Sequence, residues 1–175
     1  MSLQGEGRLL YIATMYPYKW NTTEIDPETM QRIERHRAMR ADKGFDTVEC
    51  YRHVEHIVAK RQDVLLLECM SNLLANEMYL EPDSNAGSDM AETMSPVSNN
   101  IVQALLDLST RVQELVIVTN DVFSDGGSLT YDESTREYVK NLAEINCALA
   151  REAATVTEVV CGIPVIVKKN HPMGK

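Results

Sequence analysis

Short, nearly unbroken apolar runs alternate along this chain with longer stretches in which apolar residues recur every three or four positions. Leu9 to Thr14 (LLYIAT), Val64 to Cys69 (VLLLEC) and Leu115 to Asn120 (LVIVTN) are the runs, and Asp46 to Tyr51 is a weaker one. Val156 to Cys161 and Ile163 to Val167 flank Gly162 and predict a terminal hairpin or a bent strand. Strands apolar at successive positions are the mark of a parallel sheet covered on both faces.

The stretches between the runs predict helices. Pro27 to Ala41 begins with Asp26 as N-cap and Pro27 at the first helical position. Tyr51 to Lys60, Ser71 to Leu80, Ser98 to Val112 and Glu133 to Ala153 follow. In the last, Tyr138, Leu142, Ile145, Leu149 and Ala153 share one face, which is expected to pack on the sheet. Strand–helix alternation of this kind implies an α/β fold: a mostly parallel sheet with helices on both faces. The segment 81–100 (EPDSNAGSDMAETMSPVSNN) is polar and acidic and reads as a flexible surface loop. No linker divides the chain, so residues 8–169 are expected to form a single domain.

Composition narrows the function. The 175 residues suit one domain with a sizeable core. Asp and Glu number 26 against 17 Lys and Arg, a net charge of −9. An acidic surface argues against broad nucleic-acid binding, which needs a basic footprint. No apolar run approaches the roughly 20 residues of a membrane span, and the N-terminus shows no signal-peptide pattern. A cytoplasmic protein is expected. The four cysteines form no CxxC pair and read as reduced thiols, mostly buried.

Ligands of open α/β sheets bind at the carboxyl ends of the strands. Here those ends carry Ala13-Thr14, Glu68-Cys69 and Thr119-Asn120-Asp121. Glu68 is placed as magnesium-associated and base carboxylates are in nucleotide enzymes, or as a structural carboxylate. Arg32, His36 and Arg40 are spaced i, i+4, i+8 and form a cationic stripe, with Met30 and Ile33 pointing towards packing. Arginine suits phosphate because its planar fork grips oxyanions bidentately. Positive charge nearby favours a neutral imidazole, which keeps one ring nitrogen free as a nucleophile. The competing reading is a solvated basic helix face with His36 incidental. Cys50, His53 and His56 do not match a common zinc spacing and lack an obvious fourth ligand, so no metal site is assigned. GxxxxGK[ST] is absent, as are GxGxxG, GxSxG, HExxH and the EF-hand pattern.

Six segments carry a family resemblance in order: LLYIATM (Leu9 to Met15), RIERHRAMR (Arg32 to Arg40), GFDTVECY (Gly44 to Tyr51), LLLECMSNLLANE (Leu65 to Glu77), VTNDVFSDG (Val118 to Gly126) and GIPVIVK (Gly162 to Lys168). Together they resemble the bifunctional adenosylcobinamide kinase/adenosylcobinamide-phosphate guanylyltransferases of cobalamin biosynthesis, across nearly the whole chain. The resemblance implies a RecA-like P-loop NTPase fold, often a homotrimer. It implies phosphorylation of adenosylcobinamide, then transfer of GMP from GTP through a guanylylated histidine, with GTP or ATP and Mg2+ required. By motif position that histidine is His36. Nucleotide contacts would fall to Ala13, Thr14, Met15, Arg37, Ala38, Met39, Arg40, Glu49 and Glu68.

The sequence departs from the family at its start. The strand, P-loop and helix that open family members, a βα unit of about 30 residues, should precede Leu9, and eight residues do. The P-loop strand lies inside such sheets, so its loss is expected to leave core unpaired and edges exposed. The chain reads either as part of a longer gene product or as a noncatalytic nucleotide- or corrinoid-binding relative. The first reading is favoured because the downstream motifs are intact. Without P-loop amides and lysine little cradles the β- and γ-phosphates, so weak or no activity is expected of the 175 residues alone. Phe123 is a smaller departure, standing where many relatives carry glycine.

Overall fold

The structure is a computed structural model that describes residues 7–80, 96–122 and 131–170. Strands β1 (Leu9–Ala13), β2 (Phe45–Glu49), β3 (Val64–Leu67) and β4 (Glu114–Ile117) form one sheet in the order β2-β1-β3-β4. All three pairings are parallel. Helix α1 (Pro27–Arg40) links β1 to β2, and α2 (Met70–Tyr79) and α3 (Pro96–Arg111) lie between β3 and β4. Helix α4 (Glu133–Glu152) leads to β5 (Thr155–Val160) and β6 (Ile163–Lys169), which pair antiparallel. This is the expected α/β architecture, consistent with a RecA-like fold.

Register explains which residues are buried. Leu10 is level with Leu65 and Leu65 with Leu115, while Ile12 is level with Leu67 and Leu67 with Ile117. Side chains alternate across a strand, so these six point to one face. That face carries the core, closed by Met70, Leu73 and Leu74 of α2, Leu105 and Leu108 of α3, and Leu142 and Ile145 of α4. The other face is covered less completely. Tyr11 is buried there beneath Arg40 of α1, but Leu9 and Val116 stay 41% and 42% exposed. The apolar runs therefore overstate how fully both faces are covered.

A buried carboxylate fixes the start of the sheet. Asp63, fully buried, accepts from the Arg8 amide (2.9 Å), from Arg8 Nη2 (2.6 Å) and from the Lys60 amide (2.8 Å). Those hydrogen bonds hold its carboxyl far below the ordinary carboxylate range. Next to this clasp, a Cβ on Gly7 would sit 1.8 Å from the Gln62 carbonyl oxygen, so only glycine lets the backbones approach. Between α3 and α4 a second polar tie is buried: Ser98 Oγ donates to Asn141 Oδ1 at 2.9 Å.

Several expectations need correction. The helix expected over Tyr51 to Lys60 is a 3-10 turn at Val54–His56. His53 precedes it at φ 56°, a left-handed conformation that cannot begin an α-helix, while Val54 and Ile57 insert into the core. Helix α3 starts at Pro96, so the last five residues of the expected 81–100 loop are helical, and 81–95 lie outside the described residues. The apolar face of α4 packs chiefly on α2 and α3 rather than on the sheet. All four cysteines are free, but Cys147 and Cys161 are exposed and Cys50 and Cys69 half-buried. Phe123 lies outside the described residues.

The terminal segment is a hairpin. Its two-residue turn, Cys161-Gly162, has φ of 51° and 82°, the positive values that tight hairpin turns require. Lys168 Nζ donates to the carbonyls of Ala150 (3.1 Å) and Arg151 (2.6 Å), capping the end of α4. The described strands β1 to β4 pair without a gap, and the outer edge of β4 meets no described strand. No helix among the described residues is long and apolar enough to cross a membrane.

Candidate active site

From β1 the chain passes through α1 to β2 at one edge, then returns past β1 to place β3 on its other side. That reversal opens a crevice at the carboxyl ends of β1 and β3. Ala13 ends β1, Met15 follows it, Glu49 ends β2 level with Ala13, and Glu68 follows β3. All four line one small cavity at these ends.

Helix α1 supplies the facing wall. Asp26 caps it by accepting from the Glu28 amide (3.3 Å) and from Thr29 Oγ1 (2.6 Å), and Pro27 opens it. Ile33, His36, Arg37 and Arg40 stand at i, i+3, i+4 and i+7 on one face, and all four line the cavity. The stripe that lines the cavity is thus rotated from the expected Arg32–His36–Arg40 row. Arg32 is not part of the lining, whereas Ile33 and Arg37 are.

Each polar member has a partner. His36 Nδ1 lies against Glu68 Oε1, the two side chains 33% and 13% exposed. Arg37 Nη2 pairs with Glu49 Oε1, and the Tyr51 hydroxyl donates to Glu49 Oε2 at 2.8 Å. The Tyr51 and Arg37 hydrogen bonds hold the Glu49 carboxyl below its ordinary value, against the opposing effect of burial. Arg40 lies 4.1 Å above the Tyr11 ring, and its Nε donates to Thr47 Oγ1 at 3.2 Å. Burial, and then the neighbouring Glu68, push the Tyr11 phenol well above its usual range. Burial and Glu49 do the same for Tyr51. Both phenols therefore stay protonated donors.

This arrangement has a chemical meaning. A carboxylate accepting from Nδ1–H selects the imidazole tautomer whose Nε2 carries the lone pair. Glu68 Oε1 faces His36 Nδ1 and selects that tautomer when Nδ1 is the donor, with two guanidinium groups in the same cavity. The cavity has about 10 Å3 of free volume, room for about one water. A phosphate can enter only if Glu49 releases Arg37.

The remaining expected residues are placed otherwise. Thr14 is fully buried and donates to the Cys69 carbonyl at 3.0 Å, which fixes the turn after β1 rather than facing the cavity. Ala38 and Met39 are absent from the lining, and Met39 is 64% exposed. Thr119 and Asn120 are drawn towards α4: Thr119 Oγ1 bonds Asn146 Oδ1 (2.7 Å), and Asn146 Nδ2 donates to the Asn120 carbonyl (3.4 Å).

Asn76 was not singled out by its sequence. It is buried on α2, and its Nδ2 donates to the carbonyls of Thr14 (2.8 Å) and Tyr51 (2.9 Å), tying together the turns after β1 and β2. Its one signal is a polar residue among the apolar positions of a helix. Tyr11 and Tyr51 also went unremarked, because aromatic residues at strand positions read as core.

Among the described residues no group of three His, Cys, Asp or Glu side chains is placed to hold a metal ion. His53 and His56 stack with ring centres 5.7 Å apart. The Cys50 thiol donates to the Arg52 carbonyl at 3.2 Å and is pushed up to about 11 by burial.

A family model described as cobinamide kinase / cobinamide phosphate guanyltransferase matches residues 1–167. No curated protein matches the chain.

Proposed function

Because the chain belongs to the cobinamide kinase / cobinamide phosphate guanyltransferase family, we propose that His36 is the residue that carries GMP between GTP and the cobinamide phosphate. The observation that carries this reading is the juxtaposition of His36 Nδ1 with Glu68, beside Arg37 and Arg40, at the carboxyl ends of β1 to β3. Nε2 of His36 attacks the α-phosphorus of GTP, a phosphorus–nitrogen bond forms, and pyrophosphate leaves. A phosphate oxygen of adenosylcobinamide phosphate then attacks the same phosphorus. The phosphorus–nitrogen bond breaks, adenosylcobinamide-GDP forms, and His36 is restored.

Each side chain has a role in this scheme. Glu68 holds the reactive tautomer and balances the positive charge that His36 gains on phosphorylation. Arg37 and Arg40 bind phosphate oxygens, Arg37 after leaving Glu49. Arg40 acts from a fixed position, since Tyr11 and Thr47 already orient it. Magnesium on a nucleotide needs only one or two protein carboxylates, and Glu68 and Glu49 are the carboxylates that line the cavity and would hold it. When bound, the ion would neutralise phosphate charge. The kinase half-reaction, with ATP or GTP as donor and the aminopropanol hydroxyl as acceptor, is proposed on family membership alone.

The test is intact-protein mass spectrometry after incubation with magnesium and GTP. A GMP adduct that maps to His36 and vanishes in His36→Ala is the expected result, read as a single labelling event that requires no turnover. An adduct elsewhere overturns the assignment. A second reading, a noncatalytic nucleotide- or corrinoid-binding relative, is favoured by the cavity being filled by its own ion pairs. Ligand binding with no adduct selects it.

A further inference from the structure

Behind Glu68 stands a side chain outside the cavity lining. Tyr11 lies at the middle of β1, level with Leu66 of β3 on one side and Thr47 of β2 on the other. Side chains alternate along a strand, so Glu68, two positions beyond Leu66, shares the face of Tyr11 and stands one diagonal step nearer the crevice. The Glu68 amide donates to the Ile12 carbonyl at 3.2 Å, which carries the register past the end of β3. Two contacts fix the buried Tyr11 ring. The Arg40 guanidinium lies 4.1 Å above it, and Phe45 meets it edge-on at 6.0 Å. Arg40 is itself tied to Thr47 at 3.2 Å.

A ring pinned in this way has its hydroxyl at one place, and that place is beside Glu68. Burial, and then a hydrogen bond with Glu68, keep the phenol protonated, so the hydroxyl is the donor and the carboxylate the acceptor. A glutamate side chain turns about several bonds, and fixing it costs entropy. Its other partner, His36, is a third exposed and rides on a helix of which only Arg40 is buried. One contact to such a partner leaves the carboxylate free to turn. A second donor from the buried sheet removes that freedom, because an ionised carboxylate accepts on both oxygens. Tyr11 therefore acts on the cavity through Glu68 and meets no ligand itself.

We propose that Tyr11 is a positioning residue for the His36 centre: its hydroxyl holds Glu68, and Glu68 so held keeps the proton on Nδ1 of His36 and the lone pair on Nε2. The inference deepens the reading of His36 given above and rests on it, and its test separates the two. The first readout is the tautomer of His36 in the full chain, taken from ring-nitrogen chemical shifts without nucleotide or magnesium. It is measured at about pH 8, where an ordinary imidazole is neutral, with His36→Gln to identify the signals. Wild type is expected in the Nδ1–H form. Tyr11→Phe keeps the ring under Arg40 and against Phe45 and removes one oxygen. It is expected to lower the ratio of Nδ1–H to Nε2–H about three- to tenfold, as loss of part of one charge-assisted hydrogen bond would. GMP labelling of His36 is expected to slow about tenfold, with the thermal melt little changed. Tyr79→Phe, whose lost hydroxyl serves the Ser134 carbonyl, is expected to change neither readout. On a Glu68→Gln background Tyr11→Phe is expected to add nothing, an outcome a merely structural role would not produce. A wild-type His36 in the Nε2–H form overturns the proposal, as does an effect of Tyr11→Phe that persists in full on Glu68→Gln. A Tyr11→Phe chain that fails to fold overturns it too, since the hydroxyl would then serve the core. Labelled wild type with a ratio or rate unmoved by Tyr11→Phe overturns the role of Tyr11 alone. A ratio that falls while wild type takes no GMP supports the hold of Tyr11 on Glu68 and overturns the role of His36 alone.

Discussion

Replacing Asn76 by leucine removes two donors with little change in side-chain size. In the structure its amide nitrogen serves the Thr14 carbonyl at 2.8 Å and the Tyr51 carbonyl at 2.9 Å. Thr14 is fully buried, so its carbonyl loses its partner with no route to water and bears most of the desolvation cost. The Tyr51 carbonyl is at a half-buried residue and recovers part of its loss from solvent. Together the expected destabilisation is about 2–4 kcal/mol. For a chain of this size that lowers Tm by roughly 5–15 °C. Urea melts followed by far-UV circular dichroism give the free energy, and a thermal melt gives the shift. The midpoint should fall while the slope against urea holds, because the folded core is otherwise unchanged. Asn76→Asp should be at least as damaging, since an ionised carboxylate would face two carbonyl oxygens. If Asn76→Leu melts within about 2 °C of wild type, the two hydrogen bonds do not tie the site turns together and the reasoning fails.

Two further outcomes follow from the same geometry. Glu68→Gln keeps the shape of the His36 partner but removes its charge, and is expected to slow GMP transfer to His36 by about 10–100-fold with the melt unchanged; an unaltered rate sinks the positioning role. Asp63 has a folded carboxyl held below its unfolded value, so its contribution is complete above about pH 4 and is lost as pH falls through the folded value. Asp63→Asn is therefore expected to be less stable at neutral pH and to lose less on acidification than wild type, and parallel stability curves down to about pH 2 would refute the clasp.

The sequence carried the elements better than it carried their packing. Leu10, Ile12, Leu65 and Leu67 stand in runs whose strand character needs no tertiary information, and Asp26-Pro27 announces the start of α1. The 51–60 segment misled because its turn depends on Glu77, twenty-four positions on, which accepts the His53 amide at 2.7 Å. A left-handed histidine held by a distant carboxylate leaves no local pattern. His36 and Glu68 were legible separately, one from its basic helix and one from its strand end. Their contact across thirty-two positions required the sheet order. Arg40 was expected in a nucleotide-contacting stripe and does line the cavity, but its burial over Tyr11 was not legible, because the face of α1 that meets the sheet is set by β1 and not by the polarity of α1. Thr14 was expected to contact nucleotide on the strength of its motif, while its hydroxyl is consumed by the turn it shapes.

Helix α1 has a mechanical consequence. Of its fourteen residues only Arg40 is buried, so almost no apolar area fastens it to the sheet. What holds it are His36 on Glu68, Arg37 on Glu49, and Arg40 on Tyr11 and Thr47. The groups assigned to chemistry are also the fasteners of the element that carries them. Ion pairs at partly exposed sites weaken as salt rises, whereas the apolar core does not. The helix can therefore lift from the sheet as a subunit of low local stability while the core stays folded. A phosphate-bearing ligand that draws Arg37 from Glu49 would remove one fastener while His36 and Arg40 keep theirs, so opening the site and slackening the helix are a single motion.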